Sequence, residues 1–114
     1  MAVHYLEIVS HDSDAVIAVY ERVHGLAFGA PDPDLGQARV ATLGDGSLLG
    51  VRRPLAAHES PITRTYVAVD DIARATQAAA AHGAIVAYPP TKQGARGTFA
   101  IVIVGDTQLG LWQG

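Results

Sequence analysis

The sequence predicts an α+β fold of two successive βαβββ units, and three observations point to it. A β-like stretch, an amphipathic helical stretch, a short strand and a closing hairpin follow one another in the first half and again in the second. Residue types repeat with that order, since Tyr5 to Asp12 superimposes on Arg64 to Asp71 without a gap. The hairpins also mirror each other, Gly44-Asp45…Leu49-Gly50-Val51 against Gly105-Asp106…Leu109-Gly110-Leu111. A tandem pair is the economical reading, because neither half can bury its sheet alone.

Each element has a local reason. Val3 to Val9 is rich in branched and aromatic residues and reads as a strand. Asp12 or Ser13 can cap a helix whose Val16, Val19, Tyr20 and Val23 fall on one face, and Gly25 stands where a glycine ends it. Prolines and aspartates make 30–37 a loop, and Gly44-Asp45-Gly46 joins 37–43 to 47–53 as a hairpin. Residues 54–61 form a polar connector without periodicity. Ile62 to Val69 reads as a strand, and Asp70 or Asp71 caps an alanine-rich helix ending near His82-Gly83. A short strand at 84–87, a loop at 88–97 and the apolar strand 98–104 turning into 107–113 complete the chain. The expected organisation is one domain over 1–114, with repeat one at about 1–53, the connector at about 54–61 and repeat two at about 62–114.

Composition narrows the function. The 114 residues are 49% apolar and suit one self-sufficient core. With no cysteine there is no disulfide framework, thiolate metal site or thiol nucleophile. The net charge is −3 and the basic residues do not cluster beyond Arg52-Arg53, which argues against nucleic acid or an anionic membrane as partner. No signal-like start and no apolar run long enough to span a bilayer are seen, so a soluble, cytoplasmic protein is expected.

Four pieces in the right order carry a resemblance: the opening YLEIVSHD, the helix AVIAVYERVHGLAF, YVAVDDI before the second helix, and the closing GDTQLGLWQ. Together they resemble the vicinal oxygen chelate superfamily, which holds glyoxalase I, bleomycin-resistance proteins and extradiol dioxygenases. The resemblance implies that the two units curl into an open mixed-sheet barrel with helices outside and a central cavity, and that the chain is a homodimer. It also implies where a metal would sit, on the first and last strands of each repeat. Those positions fall on Tyr5, Arg64, Gly50 and Gly110. Glycine has no side chain and a guanidinium has no lone pair to give, so no metal and no cofactor are expected. His4 lies one residue from Tyr5, but a slip of register would turn Leu6 and Ile8 inward. His11, His24, His58 and His82 fall in loops or at helix ends and form no ligand pair.

Strand alternation turns Tyr5, Glu7 and Val9, then Arg64, Tyr66 and Ala68, toward the implied cavity. Leu48, Gly50 and Arg52 join them from one terminal strand, and Gln108, Gly110 and Trp112 from the other. The ligand-binding candidates are therefore Tyr5, Glu7, Arg52, Arg64, Tyr66, Gln108 and Trp112. Glu7 can neutralise Arg52 or Arg64, which leaves the other arginine for a ligand carboxylate, phosphate or phenolate. Arg52 can instead snorkel to water, and Trp112 can instead pack under the second helix. Glu7 is the one catalytic candidate, a general base if burial raises its pKa, or else a structural counter-ion. The expected function is metal-independent binding of a small, anionic, aromatic metabolite or antibiotic. The alternative is a glyoxalase- or dioxygenase-like lyase, isomerase or oxygenase using Glu7 or an atypical metal site. A purely structural partner protein is the third reading.

Overall fold

Branched residues hold the first segment extended, and in the computed structural model, which describes Met1–Gly114, strand β1 spans Ala2–Val9. Helix α1 (Ser13–His24), β2 (Arg39–Thr42) and β3 (Leu48–Arg52) follow. Then come β4 (Ile62–Ala68), α2 (Ile72–Ala81), β5 (Ile85–Lys92), β6 (Thr98–Val104) and β7 (Thr107–Gln113). The fold is α+β with two helices, seven strands and mixed strand pairing. The chain forms two compact units, Tyr5–Thr63 and Met1–His4 with Arg64–Gly114.

In the Tyr5–Thr63 unit, β3 is parallel to β1 and antiparallel to β2. Leu6 and Ile8 pack with Leu49, Val51, Ile17 and Phe28, so that face carries the helix and the apolar core. Tyr5, Glu7 and Val9 occupy the opposite face, as alternation requires, and are more deeply buried than the half-buried Leu6 and Ile8. Helix α1 turns Ser13 and Ile17 inward with Val16 and Tyr20 beside them, whereas Val19 and Val23 are exposed. The apolar face is thus rotated from the expected stripe. Gly25 adopts the left-handed conformation (φ 66°) that ends α1, and its N–H donates to the Glu21 carbonyl.

The expected short strand of the first repeat does not form. Pro31 and Pro33 each lack an N–H donor, and Asp32 caps a 3-10 turn over Pro33–Leu35. Only a single bridge, Asp32 to Ala38, and the Gly29 N–H to Val40 carbonyl bond mark its place.

In the other unit, β7 is parallel to β4 and antiparallel to β6, the same arrangement as β3 with its neighbours. Asp71 caps α2 by accepting the Arg74 N–H at 3.0 Å, as expected from its place before the helix. The Gln113 amide oxygen accepts the Ile72 N–H at 2.8 Å and ties the helix start to β7. Strand β5 runs through Pro89-Pro90 into the segment expected to be a loop. It is an edge strand of this unit, and register shifts around Tyr88 absorb the missing donors. The remaining loop is a 3-10 turn at Gly94–Arg96. No helix is long and apolar enough to cross a membrane.

Candidate functional site

Each unit buries one strand arginine, Arg52 in the Tyr5–Thr63 unit and Arg64 in the other. In the Tyr5–Thr63 unit, β3 carries Arg52 with its side chain only 7% exposed. Its Nε donates to Glu7 Oε2 at 2.9 Å, while Nη1 and Nη2 donate to the two oxygens of Glu59 at 2.9 and 2.8 Å. Nη1 also reaches the Arg53 carbonyl at 3.2 Å. Burial pushes the guanidinium pKa down, but the Glu59 and Glu7 carboxylates outweigh it and hold the group above its ordinary value. Arg52 is therefore a buried cation paired with two carboxylates of its own chain rather than one snorkelling to water. Glu7 is its counter-ion.

Glu59 is the functional-type residue that sequence reasoning missed. It lies in the connector, whose sequence shows no periodicity. The available signal was an acid only seven residues from a strand arginine, a short enough loop to fold back on it. The Leu55 N–H also donates to Glu59 Oε1, at 2.6 Å.

In the second unit, β4 carries Arg64 and Tyr66, both buried. Arg64 Nε and Nη2 donate to the single oxygen Gln108 Oε1 at 3.0 and 2.8 Å, and Nη1 lies 3.4 Å from the Tyr66 hydroxyl. Trp112 is 2% exposed. Its indole N–H donates to the Arg96 carbonyl at 3.0 Å, its ring meets Tyr66 edge-on at 5.7 Å, and the His4 ring lies at 4.9 Å. Burial and, less strongly, the Arg96 charge hold the His4 imidazole below its ordinary pKa. Neither His4 nor Arg96 was among the expected neighbours of Trp112.

The metal positions implied by resemblance can be tested on shape as well as on donor type. A Cβ built on Gly50 would land on the Tyr5 hydroxyl, and one on Gly110 would lie 2.5 Å from Tyr66 Cδ2 and 2.7 Å from the Thr65 carbonyl. A tyrosine ring from the first strand thus covers the last-strand glycine in each unit. The space a carboxylate ligand would occupy is taken by an aromatic ring. No group of three or more His, Asp or Glu residues is gathered to hold a metal ion. The residues do not fit a metal centre of this kind.

The repeated strand–helix–sheet arrangement defines the class: the chain has the vicinal oxygen chelate fold. Solved structures across nearly the whole chain agree. A hypothetical protein from Bacillus halodurans C-125 superimposes with a TM-score of 0.79 at 15% identity, covering 99% of this chain and 94% of that one. Methylmalonyl-CoA epimerase from Mycobacterium tuberculosis gives 0.75 at 15% identity over 97% and 86% of the two chains. A Streptomyces coelicolor methylmalonyl-CoA epimerase variant in complex with 2-nitronate-propionyl-CoA gives 0.71 at 16% over 97% and 95%. No family model and no curated protein matches the sequence. At these identities the likeness is one of fold.

Proposed function

We propose that this chain is a metal-independent small-molecule binding protein whose ligand is a ring-containing or thioester-bearing carboxylate recognised by Arg64. The observation that carries the reading is the Arg64–Gln108 geometry. Two N–H groups on one edge of a buried guanidinium converge on a single amide oxygen, with the Tyr66 hydroxyl beside the third nitrogen. A ligand carboxylate can replace that amide as acceptor on the same edge, and charge-assisted bonds are roughly twice as strong as neutral ones. The guanidinium is already oriented, so little ordering accompanies binding. Tyr66 and Trp112, from the same unit as Arg64, belong to the same proposal as residues that shape the ligand's surroundings. The acyl-CoA analogue held by a protein of the same fold supports carboxylate and thioester ligands as the first classes to try.

Trp112, the only tryptophan, gives the assay. Its fluorescence is titrated with aromatic carboxylates, acyl-CoA thioesters and neutral amide isosteres, on wild type and Arg64→Leu. The acids should bind more tightly than the amides, and Arg64→Leu should abolish the difference. Equal binding of acids and amides refutes the proposal.

A second reading, an isomerase with Glu7 as proton acceptor, draws support from the epimerases among the similar structures. Against it stands the 2.9 Å pairing of Glu7 with Arg52, which commits one carboxylate oxygen. Deuterium exchange at the α-carbon of a methylmalonyl-type thioester decides the matter, and exchange abolished by Glu7→Gln would favour the enzyme. A homodimer is part of the proposal too. Strand β5 is exposed along its whole length, with Ile85, Val86 and Tyr88 at the surface, and sedimentation analysis tests whether it is paired.

A further inference from the structure

We propose that the terminal fork of Arg52 is a carboxylate-binding subsite filled by the chain's own Glu59, and that a carboxylate ligand enters by displacing Glu59 and releasing connector 54–61. The inference rests on Arg52 and the connector, and stands independently of Arg64.

The two carboxylates on Arg52 are held very differently. Glu7 comes from β1, sits on the Nε edge, and has a side chain only 8% exposed. Glu59 comes from an irregular segment, sits on the two terminal nitrogens, and is 24% exposed. Its neighbours Ala56, Ala57, His58 and Ser60 are all exposed. Glu59 is thus the more solvent-exposed of the two carboxylates on Arg52 and is flanked by exposed residues.

Glu59 makes the end-on, two-oxygen contact that any small carboxylate makes with arginine. Exchanging it for an external carboxylate preserves the charge on the cluster and both hydrogen bonds. The loss falls on the connector. Glu59 Oε1 also accepts the Leu55 N–H, so the same carboxylate that fills the fork closes the loop on itself. When it leaves, the Leu55 N–H turns to water, while the Glu59 N–H can keep its turn bond to the Ala56 carbonyl. Loop release and ligand entry are one event. A tethered group competes at an effective concentration in the millimolar range. A free acid displaces Glu59 only above that level, or when its ring is held as well. Without Glu59, Arg52 keeps Glu7 and the Arg53 carbonyl, so the substitution leaves a paired cation.

The test uses benzoate as probe and benzamide as its neutral control, on the full chain labelled for amide NMR. In Glu59→Gln, benzoate should bind at least tenfold more tightly than in wild type. In wild type, benzoate should accelerate Leu55 amide exchange along a saturable curve, and benzamide should do neither. Glu59→Asp keeps the charge on a shorter stem and should fall between the two. Equal benzoate affinity in wild type and Glu59→Gln overturns the proposal. So does an unchanged Leu55 amide at saturating benzoate, a response to benzamide as large as that to benzoate, or no benzoate binding in either protein. If Glu59→Gln fails to fold, the wild-type Leu55 titration and Glu59→Asp carry the decision alone.

Discussion

Replacing Gly50 by alanine puts one methyl group into the tightest contact of the first unit. The added carbon lies 2.6 Å from both Cε1 and Cζ of Tyr5, and the hydroxyl is nearer still. Carbon atoms normally rest about 3.5–4.0 Å apart, so the ring must retreat by about 1 Å. It has nowhere to go, because Tyr5 is 2% exposed and β3 is pinned by β1 on one side and β2 on the other. Overpacking of this kind costs roughly 1–3 kcal/mol, a fall in Tm of roughly 4–12 °C for a domain of this size. Urea unfolding measures it directly. Gly44→Ala is the control: its Cβ meets nothing within 4 Å, and it should shift stability by under about 0.5 kcal/mol. The decisive experiment is the double-mutant cycle. In a Tyr5→Ala background the clash is gone, so Gly50→Ala should become nearly neutral, with a coupling of about 1–3 kcal/mol. If Gly50→Ala costs the same with and without the Tyr5 ring, the steric account is wrong.

Arg52→Leu strands the buried carboxylate of Glu7 and should destabilise by about 3–5 kcal/mol in denaturant titration, more than Arg53→Leu on the exposed neighbour. Trp112→Phe removes the donor to the Arg96 carbonyl and should cost about 1–3 kcal/mol, with faster backbone exchange across Gly94–Arg96. His4 has a native pKa below its ordinary 6.5, so the unfolded chain binds more protons in the window just under that value. Stability should be fully present above pH 6.5 and fall as pH drops through the native pKa, and His4→Gln should flatten that part of the Tm–pH curve. Purified protein should carry only substoichiometric zinc, nickel, iron or manganese by elemental analysis, since neither Gly50 nor Gly110 offers a ligand.

The sequence carried the pattern of the fold better than its details. Alternation in YLEIV placed Leu6 and Ile8 on the helix side and Tyr5, Glu7 and Val9 on the other, because a pleated strand admits only two faces. The caps at Gly25 and Asp71 were legible because each meets a local backbone requirement. Two of the failures share one cause, that tertiary pairing overrides local cues, whereas at the first-repeat strand the local cue of two prolines prevails over the analogy. Pro89-Pro90 reads as a loop, yet β6 holds it as a bulged edge strand. The first-repeat strand expected by analogy is broken by Pro31 and Pro33. Pairing Arg52 with Glu7 alone left out Glu59, whose role exists only once the connector folds back onto β3. No periodicity marks such a contact.

The tyrosine-over-glycine arrangement also constrains the order in which this fold could change its chemistry. An acidic residue at position 50 is blocked while the Tyr5 ring stands there, and position 110 is blocked by Tyr66 and the Thr65 carbonyl together. A larger side chain at position 50 therefore finds room only once the Tyr5 ring is made smaller, a change that by itself leaves a hole. Each half would have to cross its own barrier, and the second half has backbone in the way as well as a ring. Gly50 and Gly110 are thus each coupled to the ring above them, so that a larger residue at either position calls for a matching change in the same unit.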